Sequence, residues 1–93
     1  MIVGMNPLII DTREPFEYEQ SHVEGAVNVP PQEFMAAELP AAFEGIAKDQ
    51  EIILYCRSGM RSNTVGHMLR QQGFTNIVNG VNEHHVAKLL EER

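Results

Sequence analysis

The sequence predicts an α/β fold: a mainly parallel sheet of four to five strands between two layers of helices. Two observations carry that prediction. Short apolar runs alternate along the chain with stretches of helical spacing, the order that builds parallel strands with helical crossovers. The run Ile52-Ile53-Leu54-Tyr55 is unbroken and rich in β-branched and aromatic residues, as expected of a strand buried on both faces. Ninety-three residues suffice for one domain with one core, spanning 1–93.

Leu8-Ile9-Ile10 forms the first apolar run and ends at Asp11-Thr12-Arg13. Pro15 suits the first turn of a short helix over Phe16 to Gln20. Asp11 and Arg13 stand at a strand end, placed to pair with each other or with a neighbouring loop. Ser21 to Gly25 is a turn, and its His22 is expected to fix the loop through a backbone hydrogen bond. Ala26 to Val29 is a second short strand, closed by Pro30-Pro31. Gln32 to Ala47 carries Phe34, Met35, Leu39, Phe43 and Ile46 among Ala and Glu. It reads as two short helices interrupted near Pro40, covering one sheet face.

After the central strand the period changes. Val65, Met68 and Leu69 fall at helical spacing from Ser62 onward, and Gly73-Phe74 looks like a helix stop with Phe74 packing back on Leu69. Cys56 to Arg61 is then the turn between strand and helix. Asn76 to Asn79 is the last strand, with Gly80 its turn. Val81 to Arg93 is a terminal helix with Asn82 as N-cap. His84-His85 point in different directions on such a helix, which argues against a metal site and for a solvated helix start.

The turn from Cys56 carries the chemistry. A turn at a helix N-terminus aims backbone N–H groups inward at the positive end of the helix dipole, a cluster that binds anions. Cys56 is the single cysteine. Thiols at helix N-termini or beside Arg have pKa lowered from about 8.5 to between about 3.5 and 7.5, and Arg57 and Arg61 follow closely. A lone cysteine ending a strand is often only a small core hydrophobe. Here it opens a polar, glycine-containing turn instead of extending the apolar run. Cys56 is therefore the expected nucleophile, in a cradle that also takes a small anion.

Composition narrows the partners. The net charge is −6, from 7 basic and 13 acidic residues, which argues against nucleic acid and anionic membranes. Yet no acidic residue lies between Glu51 and Glu83, where Arg57, Arg61 and Arg70 stand, so the segment around the thiol is locally positive. One cysteine precludes an internal disulfide and points to a reducing, cytoplasmic setting. The start, Met-Ile-Val-Gly-Met-Asn-Pro, lacks the charged region of a leader, so none is expected. No run reaches membrane-spanning length.

Three segments together resemble the single-domain rhodaneses, small sulfurtransferases. Asp11-Thr12-Arg13 followed by Glu17-Tyr18 is similar to the family's aspartate-x-arginine … glutamate-tyrosine signature. His22 to Pro30 resembles its histidine-x-x-glycine-alanine-x-asparagine-x-proline segment, and Cys56 to Ser62 its active-site loop. The chain departs after the last strand, where Asn79-Gly80-Val81-Asn82 has one glycine and no aromatic in place of the family's frequent two glycines and aromatic. The N-terminal strand and helix common in the family look shortened.

The resemblance implies a three-layer α/β/α rhodanese-like fold and a thiosulfate:cyanide sulfurtransferase working through a Cys56 persulfide. The donor would be thiosulfate or a similar small anion, and the acceptor cyanide or a thiol, an acceptor protein included. Arg57 and Arg61 would bind the sulfonate end and stabilise the thiolate, while Ser58, Gly59, Met60 and Ser62 would give mainly backbone donors. Asp11 and Arg13 would be supporting scaffold. No metal or organic cofactor is implied. Two alternatives stand beside it: a persulfide carrier or regulatory module acting with a partner, and a cysteine phosphatase or arsenate reductase. Against the last, four residues separate Cys56 from Arg61, and phosphatases of that kind have five.

Overall fold

The computed structural model describes residues 7–35 and 38–93. Among the described residues four strands, β1 (Leu8–Asp11), β2 (Val27–Asn28), β3 (Ile52–Cys56) and β4 (Ile77–Asn82), form one sheet in the order β2-β1-β3-β4. Every neighbouring pair is parallel. Three helices, α1 (Pro15–Gln20), α2 (Met60–Gln71) and α3 (Glu83–Glu91), and two short 3-10 helices, Pro31–Met35 and Ala41–Phe43, connect them. The leader and shortened-strand readings fall on residues 1–6, outside the described residues.

Alternation along the strands splits the core in two, because successive side chains of a strand point to opposite faces. Ile10, Ile52 and Leu54 pack with Phe34 and Phe43 of the 3-10 helices and with Val65 and Leu69 of α2. Ile9, Ile53 and Tyr55 face the other way, against Val23, Ala26 and Val86 of α3, with Tyr18 of α1 alongside. All five residues of β3 are buried. Each fully buried aliphatic side chain stabilises the fold by about 1.5–3 kcal/mol.

Several boundaries differ from the sequence reading. Where the sequence predicts two short helices over Gln32 to Ala47, Pro31–Met35 and Ala41–Phe43 are 3-10 turns, with residues 36–37 outside the described residues; Pro30, Pro31 and Pro40 remove the donors that longer helices need. Helix α2 begins at Met60, not Ser62, because Gly59 already caps it in the left-handed region at φ 92°. Gly80 is no turn but lies inside β4. Between β3 and β4 the register runs Leu54 to Asn79 and then Cys56 to Asn82. One extra residue on β4 makes a bulge, and Val81 takes it up at φ 73°. A β-branched residue there stores strain on the order of 1–3 kcal/mol. As expected, Asn82 caps α3, accepting a hydrogen bond from the His85 amide at 2.8 Å.

Gly80 is small for a packing reason. A Cβ there would collide with Cγ2 of Val86 and come within 3.2 Å of both Ile53 Cγ2 and the Leu54 carbonyl. Val86 is fully buried, and a helical valine has one preferred rotamer. Gly80→Ala is expected to destabilise the fold by about 2 kcal/mol or more, lowering Tm by roughly 10 °C. Thermal unfolding followed by circular dichroism checks this; an unchanged Tm would mean that α3 shifts freely on the sheet.

Candidate active site

The carboxyl ends of β1 and β3 are neighbours: Asp11 is in register with Tyr55, and the Thr12 amide donates to the Tyr55 carbonyl at 2.9 Å. Sites in parallel sheets gather at such ends. Cys56 is the last residue of β3, and residues 57–59 carry the chain into α2. Gly59 makes this tight turn possible. Its φ of 92° is costly for other residues, and a Cβ would meet Val81 Cγ1 at 3.4 Å and Asn79 Nδ2 at 3.7 Å.

The turn wraps the sulfur. The Gly59 amide donates to Cys56 Sγ at 3.1 Å, and Ser62 Oγ lies 3.6 Å from it. Cys56 is only 1% exposed, so the thiol sits on the floor of the loop, among polar groups rather than hydrocarbon alone. Burial by itself would push its pKa up. The Ser62 amide and hydroxyl, with the Ser58 and Gly59 amides, outweigh burial and bring it from 9.0 down to about 7. These amides belong to the loop and the first turn of α2, where the helix dipole adds in the same sense.

The arginines of the loop face a different partner. Arg61 Nη1 donates to Glu17 Oε1 at 3.2 Å, and Arg57 Nε lies 3.8 Å from Glu17 Oε2. Glu17 is a buried carboxylate on α1 that also accepts the Glu14 amide at 2.8 Å. Burial opposes its charge, but the Glu14 amide and Arg61 outweigh burial and hold its pKa below the usual value. Arg57 stays exposed at the rim with Ser58 and Met60.

Asp11 ends β1, the strand beside β3, and pairs with Arg13 just beyond it. Arg13 grips the fully buried Asp11 carboxylate through Nε at 3.0 Å and Nη2 at 2.7 Å, and Nη2 also donates to the Ser21 carbonyl at 2.6 Å. The guanidinium lies 5.4 Å from the Tyr55 ring centroid, a cation–π contact. Asn28 donates to the Asp11 and Arg13 carbonyls at 3.0 and 2.9 Å. His22 bonds the Tyr18 carbonyl through Nδ1 at 2.8 Å and stacks on the Tyr18 ring, as a loop-fixing histidine does.

Two contributors escaped the sequence reading. Glu17 was visible only as part of a signature, although its place three residues after Glu14 is capping-box spacing. Asn79 joins the site from β4: its Nδ2 donates to the Gly59 carbonyl at 3.0 Å, and its Oδ1 accepts from Ser62 Oγ at 2.7 Å. An Asn-Gly pair reads as a turn in sequence, which masks that role. Among the described residues, no group of three or more His, Cys, Asp or Glu side chains is arranged to hold a metal ion. Nor is any helix among them long and apolar enough to cross a membrane.

The sequence profile described as Rhodanese-like domain matches residues 2–82. Curated relatives include tRNA uridine(34) hydroxylases of Cronobacter sakazakii and Yersinia enterocolitica, each 34% identical over 79 residues, or 83% of this chain. The chain spans only 22% of their length. Among solved structures, a rhodanese with anions from E. coli aligns with TM-score 0.74 and 29% identity, over 88% of this chain and 93% of that one. Bacillus anthracis CoADR-RHD aligns with TM-score 0.65 and 29% identity, over 91% of this chain and 14% of that one.

The lowered thiol pKa has a thermodynamic signature. Between pH 7 and 9 the unfolded chain binds a proton at Cys56 that the folded chain does not, so stability must rise with pH. A pKa of about 7 folded against 9.0 corresponds to about 3 kcal/mol, fully present above pH 9 and lost as pH falls through 7. Urea denaturation of wild type and Cys56→Ala across this range is expected to show their stability difference growing by about that amount. A pH-independent difference would mean that the folded thiol keeps an ordinary pKa.

Proposed function

Since the chain belongs to the family of rhodanese-like domains, we propose that it is a sulfurtransferase acting through a persulfide on Cys56. The observation that carries this reading is the Gly59 amide on Sγ at 3.1 Å, within a ring of donors that lowers the thiol pKa to about 7. At neutral pH that leaves about half of the sulfur as thiolate, the nucleophilic form.

With thiosulfate as donor, the Cys56 thiolate attacks the outer, sulfane sulfur. A new S–S bond forms to Cys56, the S–S bond of thiosulfate breaks, and its electron pair leaves with sulfite. The product is a Cys56 persulfide anion. The loop amides that hold one sulfur anion are suited to hold the next, since both are large, diffuse charges. Cyanide or a thiolate then attacks the outer sulfur, leaving as thiocyanate or a new persulfide and returning the Cys56 thiolate. No net oxidation occurs, and no metal or organic cofactor enters these steps. Arg57, exposed at the rim, is the first guanidinium an arriving sulfonate meets. Arg61 reaches it only by loosening its bond to Glu17. Met60 amide and side chain edge the approach, and Ser58, Gly59 and Ser62 supply the donors at the floor.

A second reading has its own support. Cys56 is almost fully buried, and rhodanese-like domains recur inside longer chains, this one spanning 22% of its tRNA uridine(34) hydroxylase relatives. A nearly closed site within a larger assembly suits a carrier that passes sulfur to a protein thiol more than a fast small-molecule enzyme. The phosphatase reading is weaker, because four residues separate Cys56 from Arg61 where that chemistry uses five.

Intact-mass analysis after incubation with thiosulfate tests the proposal. The expected result is a gain of about 32 Da, one sulfur on the nucleophile, removed by cyanide and absent in Cys56→Ala. A chain that gains no mass from thiosulfate or any other sulfane donor is not a sulfurtransferase.

A further inference from the structure

The Ser62 hydroxyl has more acceptors than protons. It lies 2.7 Å from Asn79 Oδ1, 3.2 Å from the Gly59 carbonyl and 3.6 Å from Cys56 Sγ, and a serine hydroxyl donates once. The orientation of the Asn79 amide is set by two other bonds. Its Nδ2 donates to the Gly59 carbonyl at 3.0 Å, and its Oδ1 accepts the Val81 amide at 3.0 Å. Flipping the amide would set donor against donor at Val81 and acceptor against acceptor at Gly59. Oδ1 is therefore held toward Ser62 and takes its proton at the shortest of the three distances.

Resting on the sulfurtransferase reading of the same site, we propose that Asn79 is a positioning residue that competes with the Cys56 sulfur for the single proton of the Ser62 hydroxyl. With a neutral thiol, S–H donates to Ser62 Oγ and Ser62 donates to Asn79. When the thiol ionises, the hydroxyl must turn from Asn79 to the sulfur, which gives up a short bond to gain a charge-assisted one. Transfer of the outer sulfur returns the Cys56 thiolate, so the hydroxyl goes back to Asn79 only when the sulfur is protonated again. Asn79 thus tempers the thiolate, keeping it from being so stabilised that it attacks slowly. The bulge at Gly80-Val81 is what brings this about. The extra residue on β4 turns the Val81 amide back onto Asn79 Oδ1, and the strained φ of Val81 is the structural counterpart of that fixed amide.

Other charged groups surround the loop. Arg57 is on the loop itself and Arg61 on α2. Glu17 faces in from α1, Asp11 and Arg13 from the end of β1, and Glu83 from the start of α3, while β4 carries no charged residue. All of them are retained in the variants below, so they contribute equally to each titration.

The sign of one shift separates this role from a merely structural one. If Asn79 only braces the loop, Asn79→Ala loosens the amide ring and raises the thiol pKa. If it competes for the Ser62 proton, Asn79→Ala frees that proton for the sulfur and lowers the pKa by about half to one unit, a roughly three- to tenfold change in ionisation. With one cysteine in the chain, thiolate absorbance near 240 nm against a Cys56→Ser blank gives the midpoint directly. The expected set is a lowered midpoint in Asn79→Ala and no difference between Ser62→Ala and Ser62→Ala/Asn79→Ala. Asn79→Asp keeps the bonds from Ser62 and Val81, replaces the Nδ2 donor to the Gly59 carbonyl with an acceptor and adds charge, so its midpoint rises, by less when Ser62 is absent. It serves if the alanine variant does not fold. A raised or unchanged midpoint in Asn79→Ala, or shifts that persist unaltered without Ser62, overturns the competition. A wild-type midpoint at the ordinary value of about 8.5 would instead overturn the sulfurtransferase reading beneath it.

Discussion

The Gly59 amide turned onto the Cys56 sulfur at 3.1 Å is the contact on which the rest of this structure depends. It exists because β3 delivers a cysteine at its end and α2 begins after only three intervening residues. A chain cannot make that change of direction without a residue at positive φ, and Gly59 supplies it. Once the turn is made, the Gly59 amide points at the sulfur, while the Met60 amide lies 3.5 Å from Ser58 Oγ. The same groups would be orphans at an ordinary helix end. Here the Gly59 amide meets the sulfur.

Around this contact the buried polar residues act as braces. Asp11 and Arg13 tie the end of β1 to the Ser21 turn, with Arg13 lying over Tyr55 of β3. Glu17 anchors Arg61 and so the first turn of α2 to α1. Asn79 holds the Gly59 carbonyl from β4. Helix α1 and strand β4 thus hold the loop and the helix start directly, while β1 braces the strand end beside them. Among the described residues no buried side-chain nitrogen or oxygen lacks a partner, which is how such a polar centre is kept at the edge of a small core.

Much of the fold was legible because it rests on periodicity. The alternation of Ile9 with Ile10 and of Ile53 with Leu54 sorts side chains between two faces, and the helical spacing of Val65 and Leu69 marks α2. The cysteine turn was legible because a polar, glycine-containing segment interrupts an apolar strand. What stayed hidden is set by tertiary contact. Gly80 looks like a turn residue, and only the approach of Val86 shows that it is small for packing. The left-handed Val81 contradicts local preference and follows from the register of β4 against β3. The roles of Glu17 and Asn79 depend on partners 44 and 17 residues away in sequence, a separation that no local pattern encodes.

The central claim is that hydrogen-bond donors from the loop and helix start, not hydrocarbon, govern the charge of this sulfur. The Cys56 Cβ chemical shift, followed by NMR against pH on selectively labelled protein, reports that charge at the residue itself. The account predicts a single transition centred near pH 7. A shift that stays at its thiol value through pH 8 and moves only near 9 would contradict it, because the amides would then be near the sulfur without holding its charge.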